Sequence, residues 1–183
     1  KTLQWTLDAM HAHNVSAWLA MGSLMGQVRH KGVLIPWDTD IDMYVDAADE
    51  DKLLKAFPNH APRVHWFGRD PRGRAVYWVY FHPVPKSGES HIELWMWQKG
   101  QTKDPTYLNP LIYPLQPCHL YGYAAWCPSN SAAMLEKWYG ADWAKYQFTR
   151  GAATVMLTDA VGDPERFRMV QDYQRKKRKS LML

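Results

Sequence analysis

Hydrophobic positions recur along this chain with two different periods. Near the N-terminus Leu3, Leu7 and Met10, with Trp5 beside them, fall at helical spacing and predict a helix over residues 2–13. Val15 to Met21 is short, apolar and β-compatible, and it ends at Gly22-Ser23. Leu24 to His30 then reads as the opening of a second helix with Ser23 as its N-cap. Pro36-Trp37 closes the loop that follows. From Asp38 the period changes to two: Asp38, Asp40, Asp42 and Tyr44 lie on one face of a strand, and Ile41, Met43 and Val45 on the other. Ala48 to Phe57 returns to helical spacing, with Asp49 and Glu50 in the first turn, where the helix dipole favours acids.

Val64 to Trp97 reads as sheet. Arg69-Asp70-Pro71-Arg72-Gly73 and Pro85-Lys86-Ser87-Gly88 supply turn chemistry between apolar, aromatic runs. Residues 103–117 carry Pro105, Pro110, Pro114 and Pro117 and predict a wrapped loop with no regular element. Cys118 and Cys127 flank a stretch that predicts a hairpin turning near Gly122. Facing positions on such a hairpin bring two Cβ atoms within disulfide reach, and two buried free thiols are the other reading. Ser131 to Trp138 should be helical, capped from within residues 129–131. Asp163-Pro164-Glu165 starts a last helix, with Asp at the N-cap and Pro at the first position. Strands and helices alternating around one sheet argue for an α/β or α+β domain.

Composition narrows the class. With 183 residues the chain is one medium domain, taken as residues 1–174, followed by a basic C-terminal tail over 175–183. The formal net charge of +4 is misleading, because five basic residues lie in the single run Arg175-Lys176-Lys177-Arg178-Lys179. Setting that run aside leaves 17 basic against 18 acidic residues, so the body is nearly neutral and nucleic acid is not an expected partner. Aromatic content is 14%, which suits either a core or a sugar-stacking surface. No apolar run approaches the roughly 18 residues that span a bilayer. The start, Lys1-Thr2-Leu3, has neither an initiator Met nor a signal-peptide pattern, and reads as a fragment of a longer protein. A removed anchor or targeting segment, including a membrane tether in the full-length protein, stays open.

The most informative stretch is Ile35-Pro36-Trp37-Asp38-Thr39-Asp40-Ile41-Asp42. Residues two apart on a strand point the same way, so successive carboxylates sit roughly 6–7 Å apart. At an effective dielectric near 20 each such pair repels by roughly 2–3 kcal/mol. Three acids on one strand face therefore ask for a cation, and Mg²⁺ (or Mn²⁺) shared with a substrate phosphate is the economical choice. An EF-hand does not fit, since Met43 stands where its glycine is required. Gly22-Ser23, at a strand-to-helix junction, can let a phosphate approach backbone N–H groups. Arg29 and His30 near the helix end are either cations at the C-terminal dipole or anchors for a donor phosphate. A further acid on a neighbouring strand is expected, and Glu93 in His91-Ile92-Glu93-Leu94-Trp95-Met96-Trp97 supplies it, as a metal ligand or as a base. His11 and His13 diverge on a helix and make no metal pair. Asn14-Val15-Ser16 matches the N-glycosylation pattern but leads into an apolar strand, which argues against its use.

Met21-Gly22-Ser23-Leu24-Met25-Gly26-Gln27-Val28-Arg29-His30-Lys31-Gly32, followed by Ile35 to Asp42, resembles the signature of the LicD family. That family includes bacterial phosphocholine transferases and the eukaryotic fukutin and fukutin-related proteins. Pro117, Gly122, Pro128, Leu135 and Tyr139-Gly140-Ala141-Asp142-Trp143 look like its closing motif, so the resemblance covers roughly residues 15–145. It implies a nucleotidyltransferase-type fold, with a mixed central sheet flanked by helices. It also implies metal-dependent transfer of a phospho-alcohol from a CDP-linked donor to a glycan acceptor.

In that scheme Asp40 and Asp42 match the metal-binding acids, with Asp38 in the same motif, and Gly22-Ser23 match the phosphate turn. Glu93 stands where members commonly carry Asp. The Trp37-Asp38-Thr39-Asp40 wording also resembles fungal members tied to mannosylphosphate transfer. The alternatives are therefore a nucleotidyltransferase or mannosylphosphate transferase, using another nucleotide-activated donor, and a non-catalytic glycan-binding or regulatory member. The expected compartment is the secretory (Golgi/ER) lumen for a eukaryotic protein and the cytoplasm for a bacterial one.

Overall fold

The computed structural model describes residues 2–35, 38, 40–57, 64–69, 75–80, 91–98, 105–141, 143–144, 146–147 and 155–156. It divides into two compact units, Lys1–Met134 and Leu135–Leu183. The first unit runs α1 (Thr2–Ala12), β1 (Ala17–Leu19), α2 (Met21–Arg29), β2 (Asp40–Asp46), a 3-10 turn (Ala47–Asp49) and α3 (Glu50–Ala56). It continues with β3 (Val64–Arg69), β4 (Ala75–Val79), β5 (His91–Trp97), α4 (Pro105–Ile112), β6 (Gln116–Leu120) and β7 (Tyr123–Cys127). Helix α5 (Ser131–Tyr139) begins in the first unit and ends in the second, which also holds the short antiparallel strands β8 (Tyr146–Gln147) and β9 (Val155–Met156).

The main sheet has the order β1-β2-β5-β4-β3. β2 and β5 pair in parallel, and every other neighbour pair is antiparallel. The sheet is thus mixed and helix-flanked, the α+β architecture that the resemblance implied. Its two faces differ in kind. Met43 and Val45 of β2, with Ile92, Leu94 and Met96 of β5, are buried on one face. Leu3, Leu7 and Met10 of α1 and Leu53 of α3 are buried too, and α1 packs against both α3 and β5. On that side Tyr77 of β4 donates its hydroxyl to Glu50 of α3 at 2.7 Å. The other face carries the acids of β2, and at its far end Trp18, Tyr44, Trp97 and Tyr113 form an aromatic cluster with centroid distances of 5.0 to 6.2 Å. Tyr113 also donates to Asp46 at 2.9 Å.

Four local expectations are corrected. Helix α2 begins at Met21, and its N-cap is Ala20 without a side-chain bond, so Ser23 lies inside the first turn and does not cap. Asp38 precedes β2, its N–H donating to Ile35 at 2.8 Å in a turn, so the strand face starts at Asp40. The proline-rich segment contains α4, because Pro105 occupies the first helical position, where its missing N–H costs nothing. The cysteines are joined, but Cys118 faces Ala125 and Cys127 faces Gln116, so they are diagonal neighbours with a Cα–Cα distance of 5.9 Å. Helix α5 is capped as expected, by Asn130 accepting from the Ala133 N–H at 3.0 Å. The predicted last helix, the basic run and both sheet turns after Arg69 lie outside the described residues. No helix among the described residues is long and apolar enough to cross a membrane.

Candidate functional site

The site is built by the parallel pairing of β2 with β5. Its register sets Asp40 beside His91, Asp42 beside Glu93, and Tyr44 beside Trp95. Side chains at paired positions share a face, so two acidic positions of β2 meet a His and a Glu of β5. Ligand atoms of Asp40, His91 and Glu93 all lie within 4.8 Å of one another. His91 Nε2 is 3.1 Å from Glu93 Oε1, an N–H donated to the carboxylate. From the next strand Trp78 pairs with Glu93 and stacks on the His91 ring at 4.4 Å between centroids.

Asp42 sits one step further in. Burial, then the neighbouring charges of Asp40 and Glu93, push its carboxyl up to about 7, while the Trp95 indole and His91 pull the other way. A carboxyl at that value binds and releases a proton near neutrality, and a divalent cation beside it favours the ionised form. Two carboxylates and an imidazole in one cluster fit Mg²⁺ or Mn²⁺. Asp40 and Glu93 would be ligands, and His91 either a third ligand or the donor that orients Glu93.

Helix α2 brings its N-terminus to the same place. Leu24 N–H to the Ala20 carbonyl, at 2.9 Å, is the first intrahelical bond, so the N–H groups of Met21, Gly22 and Ser23 precede the ladder. A Cβ on Gly22 would collide with the Asp38 carboxylate and lie 3.9 Å from Asp42 Oδ2, so only glycine lets backbone come this close to the acids. Ser23 is fully buried, and its Oγ accepts the Asp42 N–H at 2.9 Å. The Ala20 N–H donates to the Asp42 carbonyl at 3.0 Å. Both bonds fasten α2 to β2, and the serine hydroxyl faces the strand.

Arg29 and His30 stand at the opposite end of α2, seven residues from Gly22, or about 10 Å along the axis. The Arg29 side chain folds back along the helix, with Nη1 2.9 Å from Met25 Sδ. Burial lowers the Arg29 guanidinium to about 10, and burial together with Arg29 lowers His30. The structure therefore assembles Gly22, Ser23, Asp38, Asp40, Asp42 and Glu93, while Arg29 and His30 occupy the far turn of α2. Sequence reasoning did not single out His91 or Trp78. The His91-Ile92-Glu93 spacing carried the first signal, since it places both side chains on one strand face. Trp78 depends on a non-local pairing and had none.

Residues 14–130 match the family described as LicD/FKTN/FKRP, nucleotidyltransferase domain. The ribitol 5-phosphate transferase FKRP of Homo sapiens is 28% identical over 156 residues, which cover 76% of this chain and 30% of that protein. The protein RT0683 of Rickettsia typhi is 25% identical over 152 residues, 77% of this chain and 45% of its own. This chain thus spans under half the length of either relative. Among solved structures, ANT(2")-Ia in complex with adenylyl-2"-tobramycin superposes with a TM-score of 0.51 at 14% identity, covering 76% of this chain and 74% of that one. That likeness concerns the fold.

Proposed function

The chain belongs to the LicD/FKTN/FKRP family of nucleotidyltransferase domains, and on that premise we propose that it transfers a phospho-alcohol, ribitol phosphate or phosphocholine, from a CDP-linked donor to a glycan hydroxyl. The observation that carries this reading is the convergence of Asp40, His91 and Glu93 on adjacent parallel strands, beside the first turn of α2. The backbone at Gly22 and Ser23 holds a donor phosphate, where the helix dipole and the first-turn N–H groups favour negative charge. Asp40 and Asp42, with Asp38 close by, would hold Mg²⁺ or Mn²⁺, which would neutralise charge on the diphosphate. The Glu93 carboxylate takes the proton of the acceptor hydroxyl as the oxygen attacks the phosphorus distal to the nucleoside. The new O–P bond forms as the bond to the bridging oxygen breaks, and CMP leaves. His91, stacked on Trp78, keeps Glu93 in place. Arg29 offsets phosphate charge from the far turn of α2.

The test is incubation of the full-length protein with CDP-ribitol, CDP-choline, CDP-glycerol or GDP-mannose, with and without Mg²⁺ or Mn²⁺, following nucleoside monophosphate. Metal-dependent CMP release is expected. Absence of metal-dependent release from every donor overturns the reading, and pyrophosphate release from CTP would instead mark nucleotidyl transfer. Asp40→Asn and Asp42→Asn should abolish turnover with the fold retained. Intact biological function in both variants, with no turnover in either or in the wild type, would favour a non-catalytic, glycan-binding role.

A further inference from the structure

Away from the sheet site, α1 ends in a left-handed cap. Asn14 has φ +51, its N–H donates to the His11 carbonyl at 3.1 Å, and the Val15 N–H reaches back to Met10 at 3.0 Å. This is the paired bonding of a Schellman cap, in which Asn is accepted after Gly. The cap uses only backbone atoms of Asn14. Its side chain is exposed, while Val15 behind it is buried at 5% exposure. The apolar strand that argued against use of Asn14-Val15-Ser16 therefore begins one residue after the acceptor.

Asn14 also forms the rim of a groove. The space, about 330 Å³, is lined by His11, Asn14, Pro117, Cys118 and Trp126, at the small end of the range for ligand sites. Trp126 is 38% exposed, sits on β7 opposite Pro117 and lines the groove with a part-exposed indole. The floor is pinned by the Cys118–Cys127 disulfide, a bond that persists in the oxidising lumen of the secretory route. One acceptor pattern, an exposed amide, an aromatic platform and a disulfide thus meet at one place.

We propose that Asn14 is N-glycosylated and that the innermost N-acetylglucosamine lies in this groove against Trp126. The donor is a polyprenyl-diphosphate oligosaccharide. The Asn14 amide nitrogen bonds to C1 of the sugar, the bond from C1 to the diphosphate breaks, the diphosphate departs with the electron pair, and the amide gives one proton to the transferase base. In the fold the Ser16 N–H is fastened to Asp49 Oδ2 at 2.8 Å, so transfer occurs on the nascent chain before β1 docks. The sugar's apolar face then covers an indole face that water would otherwise wet.

The experiment expresses the whole chain behind a cleavable leader in a eukaryotic secretory host and maps its peptides with and without peptide N-glycosidase. Occupied Asn14 is expected, retained in Ser16→Thr and lost in Ser16→Ala and Asn14→Gly. The last substitution preserves the left-handed cap, so a folded, unglycosylated control is available. A secreted, folded protein with bare Asn14 overturns the proposal. For the groove, trimming to a single N-acetylglucosamine should leave Tm unchanged, and complete removal should lower it by about 2–4 °C in the wild type but not in Trp126→Ala. An equal drop in both removes Trp126 as the platform.

Discussion

Asp42 makes the metal-free protein weaker as the solution becomes less acidic, and the size of the effect can be worked out. Its carboxyl moves from 3.8 in an exposed setting to about 7 in the fold, chiefly by burial and then by Asp40 and Glu93. Between those values the folded state holds a proton that the unfolded state has released. Stability is therefore highest below about pH 4, falls through the window up to about 7, and is flat above it. A shift of about three units corresponds to about 4 kcal/mol at the plateau, a large share of the 5–15 kcal/mol typical of a domain.

Other groups titrate as well. His30, lowered by burial, pushes the profile the opposite way as pH rises toward 6.5, and Asp49, lowered by Lys52 and Ser16, stabilises above about 4. The clean measurement is consequently a difference. Urea unfolding of wild type and Asp42→Asn in EDTA, from pH 4.5 to 8.5, should show the variant gaining about 3 kcal/mol on the wild type as pH rises. Millimolar Mg²⁺ or Mn²⁺ at pH 8 should recover stability in the wild type only. A difference between the two proteins that stays constant with pH refutes the assignment of a raised pKa to Asp42.

Ser23→Ala leaves the Asp42 N–H without its acceptor inside the protein and should cost about 1–3 kcal/mol in urea unfolding, with the largest loss of hydrogen-exchange protection at β2. Gly22→Ala suits the helical backbone but drives a Cβ into the Asp38 carboxylate, so turnover should fall at least tenfold with little change in Tm. Removing the disulfide with Cys118→Ser and Cys127→Ser together should cost about 2–3 kcal/mol, the loop-closure value for a nine-residue separation, read as a lower urea midpoint. Trp78→Ala, which frees one side of the His91 ring, should weaken Mn²⁺ binding measured by calorimetry while leaving the far-UV spectrum unchanged.

What could be read in the sequence was what local spacing controls. The period of two, read from Asp38 and realised from Asp40 onward, the helical spacing of Leu3, Leu7 and Met10, and the turn near Gly122 all appear. So does Glu93 as a second-strand acid, because its flanking Ile92 and Leu94 declared which face was buried. Pairings between distant segments were not legible. β5 reaches β2 across two intervening strands, and nothing local to His91 announces that Asp40 will stand beside it. The same ignorance misassigned Ser23: its chemistry suits an N-cap, and only burial against β2 turns its hydroxyl to the strand. Four prolines in residues 103–117 argued for loop, yet Pro105 falls where a helix accepts proline and α4 is short enough to tolerate Pro110.

The pairing of β2 with β5 also explains why the acids and the aromatic cluster lie on one face. Strand side chains alternate, so a slip of one residue in that register would place Asp42 beside Leu94 or Ile92 instead of Glu93. It would also drive Tyr44 away from Trp97, now 5.0 Å off. Packing at the aromatic end thus selects the register that assembles the cation cluster at the other. A Trp97→Ala substitution, remote from any reacting atom, should accordingly loosen the β2–β5 register and weaken Mn²⁺ binding measured by calorimetry. If Mn²⁺ binding is unchanged in Trp97→Ala, the aromatic cluster serves only the core.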